Sequence, residues 1–225
     1  MSQPRFRSIV AALILVVPLA GAAAHAEEPS PAVATPPGAL TDADRATLVA
    51  MLEQGRKETE ELVARAEGDL FTAKPAPDRW SVAEVLEHIG TSEQALFGMV
   101  QTALAGAPDP EAAQLLTAAP VADFAATIKS REKRFQAPAE LQPKGGKSRD
   151  ELLALYRTAH DSSLELVRTT QAAVAAYTAP SPAGKLTVHH LLTLIAAHNL
   201  RHNQQIAEVL TQLAQPAASQ PAASP

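Results

Sequence analysis

Four stretches of the chain repeat apolar residues at three- and four-residue spacing, and each opens with a helix start signal. The first runs from 42 to 66 behind a Thr41 cap, with Leu48, Met51, Leu52, Leu62 and Val63 on its apolar face. The second begins at Ser81, where Ser81 and Glu84 have capping-box spacing and Trp80 is placed to pack back on Val85; it extends to Leu104. A third begins at Ser148, again with a box partner at Glu151, and the spacing carries it to Tyr177. The fourth starts near Thr187, after the breaker "APSPAG", and ends around Leu213. The connection 105–147 holds several prolines and one short helical pattern at 121–135. It is long enough to cross a bundle end to end, so the second and third helices need not be antiparallel neighbours. An all-α four-helix bundle over residues 41–213 is the economical fold.

Composition agrees with this pattern. Hydrophobic residues make up 46% of the 225 positions and aromatics only 4%. Much of the apolar fraction is alanine, which favours closely packed helices over sheets. A net charge of -5 gives no electrostatic reason to expect nucleic acid as a partner.

The ends differ from the middle. Arg5 and Arg7 precede an apolar run from Ile9 to Leu19, then small residues ending in Ala24-His25-Ala26. That is the order of a secretory signal peptide, so residues 1–26 are expected to be removed and the protein to be periplasmic or secreted. The apolar run falls short of the roughly 20 residues of a membrane span, and no stable membrane insertion is expected after cleavage. Residues 27–40 read as a Pro/Ala-rich tether and residues 214–225 as a disordered, low-complexity tail. With no cysteine in the chain, disulfides, thiolate ligands and a lipid-anchored cysteine are all excluded.

Chemistry concentrates in "HNLRH", residues 198–202. On the fourth helix the apolar seam runs Val188, Leu191, Ile195, then His198, His202 and Gln205, then Val209. Two imidazoles and an amide thus interrupt a core stripe, and buried polar groups are costly unless satisfied. Residues four apart share a helix face, so His198 and His202 can offer two ligands to one metal. A third is available from the second helix, where His88 lies at the edge of the stripe Val82, Val85, Ile89, Leu96, Val100. His88, His198 and His202 would make a three-histidine site with an open position. Zinc is the first expectation; imidazole also suits nickel, iron and copper, and manganese stays among the alternatives. Glu93, near the inner face of the same helix, is a candidate partner for a ligand or a general base for metal-bound water.

The segments "RWSVAEVLEHIG" (79–90) and "LTVHHLLTLIAAHNLRHNQQIAEVL" (186–210) resemble the two signature segments of the DinB-like superfamily, four-helix bundles that include the YfiT-like metalloenzymes. The resemblance covers about residues 41–213. It implies that His88, His198 and His202 bind a divalent metal, and that Gln205 and Glu93 occupy positions commonly filled by those residue types. It further implies a thiol-dependent transferase or isomerase activity on a small molecule, or none at all, and a homodimer as one state.

The remaining signals read as structure. His189 and His190 are expected at the surface near the helix start, and His160 on the third helix has no face assigned. The basic run "KSREKRF" (129–135) reads as a solvated face. "GGKS" (145–148) lacks the first glycine of a phosphate-binding loop, with Leu141 in its place, and reads as the turn into the third helix. The functional expectation is a secreted metal-dependent hydrolase or thiol-dependent transferase of unidentified substrate. A non-catalytic metal- or ligand-binding bundle of the cell envelope is the alternative.

Overall fold

A computed structural model describes residues 36–132, 135–181 and 184–215. The expected signal peptide (1–26), most of the tether and the tail beyond residue 215 lie outside the described residues. Among the described residues six α-helices follow one another: α1 (Asp42–Arg65), α2 (Val82–Leu104), α3 (Ala112–Ala118), α4 (Val121–Lys129), α5 (Arg149–Thr169) and α6 (Val188–Leu213). Strands β1 (Thr178–Ser181) and β2 (Gly184–Thr187) form an antiparallel hairpin between α5 and α6. No helix among the described residues is long and apolar enough to cross a membrane.

The expected caps are present. Ser81 and Ser148 each accept a hydrogen bond from the N–H three residues on, and Glu84 and Glu151 reach back to close the box. Thr41 and Asp44 form a third box at the start of α1. Where two helices run antiparallel, arginines close the far ends. Arg45 at the start of α1 donates to the carbonyls of Val167 and Thr170 at the end of α5. Arg149 at the start of α5 donates to those of Val63 and Ala66 at the end of α1. Carbonyls at a helix C-terminus lack helical partners and carry partial negative charge, so a guanidinium there satisfies both.

α1, α2, α5 and α6 form the bundle, with α2 packed on α5 and α6, and α1 on the same two. Along the α2–α5 contact, Glu87 meets Lys147, Gly90 lies under Leu155 and Tyr156, and Glu93 meets His160. Both numbers rise together, so these neighbours are parallel and the connection between them returns the length of the bundle. A Cβ on Gly90 would stand 3.0 Å from Leu155 Cγ, which is why the helices approach closely there.

Three expectations need correction. The third helix stops at Thr169 rather than Tyr177. Alanine-rich sequence favours continuing, but the chain turns to bury Val174 in the core, and Arg45 takes the last carbonyls. Residues read as a breaker form the β1–β2 hairpin, whose Ala179 and Leu186 are buried. Finally, the last part of the tether is docked: Leu40 is buried and the Gly38 carbonyl accepts from Ala175 N–H at 2.8 Å.

Apolar burial falls into two clusters. One, toward the hairpin, gathers Leu48, Leu52, Val100, Val167, Leu191 and Ile195. The other gathers Val63, Val85, Leu86, Leu152, Ile206 and Val209. Buried polar side chains at the middle of the helices lie between them: Thr59, His88, Glu93, His160, Asn199, His202 and Asn203.

Candidate metal centre

The rotation of α6 decides what its histidines face. In "HNLRHN" each histidine is followed by an asparagine, and one residue along a helix turns the side chain by about 100°. The asparagine pair therefore faces α1. Asn203 Nδ2 donates to the Gly55 carbonyl at 2.9 Å, Thr59 Oγ1 donates to Asn203 Oδ1 at 2.7 Å, and Asn199 Nδ2 donates to Thr59 Oγ1 at 3.2 Å. Gly55 makes this possible, since a Cβ there would lie 2.0 Å from Asn199 Oδ1. With the asparagines locked onto α1, the histidines point at α2.

His88, His198 and His202 meet there. Their nearest ring nitrogens lie within 4.8 Å of one another. Ring centroids are 4.3 Å apart for His198 and His202, 4.7 Å for His88 and His202, and 5.1 Å for His88 and His198. The two Nε2 atoms of α6 are 3.0 Å apart.

Two of the rings have their tautomer set from behind. His88 Nδ1 is 2.8 Å from the Leu141 carbonyl, which can only accept, so Nδ1 carries the hydrogen and Nε2 offers a lone pair. His202 Nδ1 likewise donates to Gln205 Oε1 at 2.8 Å. A backbone carbonyl or amide oxygen behind the ring is the usual support of a metal-binding histidine. With the His202 lone pair aimed at His198 Nε2, a 3.0 Å approach is favourable only if the two nitrogens share a proton or a cation. The donor set fits a divalent metal.

Burial keeps the three rings uncharged. Burial, reinforced by His88 and Arg201, pushes the His198 imidazolium down to about 3. His202 is held well below the usual histidine range by burial, then by His198 and His88. Burial lowers His88 too, against the hydrogen bond to Leu141, which raises it. All three rings are neutral at pH 7. Trp80 packs its indole 5.0 Å from the His88 ring, and half-buried His198 is the most open of the three.

The crossover between α2 and α5 closes one side of the centre. Its short 3-10 turn, Ala139–Leu141, supplies the carbonyl for His88. Three residues later the chain enters a turn with Gly145 and Gly146 at φ 73° and 82°, the left-handed region glycine tolerates. The N–H groups of Lys144 and Gly145 donate to Glu87 Oε2 at 3.2 and 2.9 Å, and Lys147 donates to the other oxygen. The "GGKS" turn thus cradles an anion, and the anion is the protein's own carboxylate. Burial alone would raise Glu87, but these donors together hold it below the usual carboxylate range.

Glu93 is not in the histidine group. Its oxygens lie 3.1 and 3.3 Å from His160 Nδ1 on α5, and both side chains are buried. His160 Nε2 donates to the Leu52 carbonyl at 3.1 Å. Glu93, expected as a partner for a ligand or as a general base, has its carboxylate paired with an ionisable residue on α5. His189 and His190, expected at the surface, are 8% and 1% exposed. His190 spans Thr187 Oγ1 at 2.9 Å and the Ala119 carbonyl at 2.7 Å, with the Phe124 ring packed 5.1 Å away. The basic run is partly engaged, with Arg131 donating to both Glu208 oxygens at 3.3 and 2.8 Å and the Phe135 ring lying 5.3 Å from the Arg201 guanidinium. Sequence reasoning passed over Asn199, Asn203 and Glu87. The repeated His-Asn pair at four-residue spacing was the available signal for the first two.

Residues 51–206 match the family model of the DinB superfamily. No curated protein and no solved structure matches the chain.

Proposed function

The chain belongs to the DinB superfamily, and on that premise we propose that it is a metal-dependent enzyme whose divalent ion is held by His88, His198 and His202. The observation that carries the reading is the convergence of three neutral imidazoles from two helices, two of them fixed in the Nε2-donor tautomer. A divalent ion bound there supplies Lewis acidity, which lowers the pKa of a water or thiol toward neutrality. The chain's own residues do the rest. Leu141 and Gln205 orient the ligand rings, Trp80 provides an apolar wall beside His88, and half-buried His198 marks the side open to a reactant.

Zinc is the metal of first choice, and the substrate is a small molecule. Export from the cytoplasm, read from the N-terminal pattern, favours hydrolysis over thiol transfer, because an oxidising compartment keeps no reduced thiol pool. One observation favours the second reading, a metal-binding bundle without turnover: Glu93, the carboxylate offered as a base, is paired with buried His160.

The test is elemental analysis of protein purified without an affinity tag of histidines. About one equivalent of metal, lost in His198→Ala/His202→Ala, is the expected result, and nickel titrated into the metal-free protein should quench Trp80, the one tryptophan in the chain. No metal after incubation with zinc, nickel and manganese would refute the reading. Metal without hydrolase or transferase turnover across a substrate panel would leave the binding bundle.

A further inference from the structure

Glu87 and His88 are consecutive on α2, and both reach the same piece of the crossover. His88 Nδ1 donates to the carbonyl of Leu141. Glu87, 2% exposed, accepts from the N–H groups of Lys144 and Gly145 and from the Lys147 ammonium. Two residues, Gln142 and Pro143, separate the carbonyl that sets the His88 tautomer from the first N–H that Glu87 holds. A buried carboxylate costs several kcal/mol to desolvate unless its acceptor sites are filled, so these contacts are strongly coupled: the loop is fixed where the carboxylate is, or neither is stable.

We propose that Glu87 is a positioning residue for the metal centre: by fastening residues 144–147 to α2 it holds the Leu141 carbonyl behind His88 and thereby keeps the His88 Nε2 lone pair aimed at His198 and His202. The inference rests on the metal reading only for its functional consequence. A free neutral imidazole prefers its hydrogen on Nε2, the tautomer that cannot present Nε2 as a ligand. Among the described contacts, Ser92 Oγ, 3.3 Å from the same nitrogen, is the other polar atom beside His88 Nδ1. A hydroxyl can donate as well as accept, so it does not choose between the tautomers, whereas the carbonyl does. His202 carries its own support on α6 through Gln205, so loss of Glu87 should unseat one ligand of the three.

The experiment compares wild type, Glu87→Ala, Lys147→Met and Glu151→Ala as full chains in two measurements. Long-range nitrogen–proton spectra of the histidine-labelled, metal-free protein report which His88 nitrogen carries the hydrogen. Competition against a chromophoric chelator reports zinc affinity. In wild type His88 is expected as the Nδ1–H tautomer. Glu87→Ala should move it toward Nε2–H and weaken zinc binding by about 10- to 100-fold, the usual effect of removing a ligand's outer support. Lys147→Met, which removes one donor from the exposed side, should do both to a smaller extent. Glu151→Ala breaks the α5 capping box beside the loop without touching Glu87, and should change neither. A folded Glu87→Ala protein that keeps the Nδ1–H tautomer overturns the proposal, whatever its zinc affinity. If Glu87→Ala does not fold, Lys147→Met decides, and an unchanged tautomer there overturns it. A wild type without zinc affinity refutes the metal reading alone, because the tautomer measurement still tests Glu87.

Discussion

Lowering the pH should unfold the metal-free protein through its three clustered histidines. His198 has an ordinary pKa near 6.5 in the unfolded chain and about 3 in the fold. A histidine lowered in this way binds its proton in the unfolded state first. Its contribution is therefore fully present above the unfolded value and is lost as pH falls through the window from 6.5 toward 3. At pH 5 the unfolded ring is mostly protonated and the folded one is not, which by linkage costs about 2 kcal/mol. His198 is half-buried, so screening makes that figure a ceiling for this residue. His88 and His202 are lowered as well and act in the same direction. With a urea m-value of ~2 kcal/mol/M, a loss of that size moves the unfolding midpoint by about 1 M. The assay is urea unfolding at pH 7 and pH 5 in the presence of a chelator, for wild type and His198→Gln. Carboxylates titrate alike in both proteins, so the difference between them reports the His198 ring together with its effect on His202, which touches it. Wild type should lose up to about 2 kcal/mol more than the variant between the two pH values. Equal losses would refute the burial of a neutral His198 on which the metal reading depends.

Two further substitutions test the polar layer. Helix propensity predicts that Gly55→Ala stabilises α1 by roughly 1 kcal/mol, whereas the Cβ 2.0 Å from Asn199 Oδ1 predicts a loss of about 1–3 kcal/mol; thermal unfolding gives the sign, and a raised Tm would show that Asn199 does not lock α6 to α1. At Glu93, the His160 Nε2–H already donates to Leu52, so the Glu93–His160 contact holds a single proton and the pair is neutral in total. A glutamine amide can donate to Nδ1 in its place. Glu93→Gln should therefore stay within about 1 kcal/mol of wild type, while Glu93→Ala leaves a buried ring nitrogen unpaired and costs about 1–3 kcal/mol or more. Both should keep full zinc affinity by chelator competition, and a loss of zinc in Glu93→Gln would return Glu93 to the metal centre.

How far the sequence could be read depended on whether a feature was local. The capping boxes at Ser81 and Ser148 and the shared face of His198 and His202 follow from short-range spacing, and the structure has them; His88, on another helix, was joined to that pair by its place at the edge of the α2 stripe and by the family resemblance. Features that depend on what covers a surface were not legible. His189 and His190 sit at a helix start and look exposed on a helical wheel, but the Ala119 carbonyl and Phe124 come from seventy residues away to bury His190. Glu93 looked like a metal-site residue because it shares an inner face with His88. Its true partner, His160, lies on a parallel helix whose register depends on the whole crossover. The β1–β2 hairpin was missed for a related reason, since prolines and a glycine mark a break without saying that strands follow on either side.

The same distinction explains why the candidate centre takes the form it does. A four-helix bundle that places three imidazoles in its middle gives up one layer of apolar packing, and the core here divides into two clusters on either side of that layer. Each buried imidazole then needs an orienting contact that does not come from the metal, or the metal-free chain would carry unsatisfied rings. On α6 the contact is built into the helix itself: asparagines one position after each histidine bond to α1, and Gln205 holds His202 one turn on. On α2 it comes from outside, through a crossover loop that a buried carboxylate fastens beside the histidine it serves. Two ligands are therefore as rigid as the bundle, and the third is as rigid as the loop. His88 is the ligand whose affinity for metal should fall first when the fold is loosened locally, before the bundle unfolds.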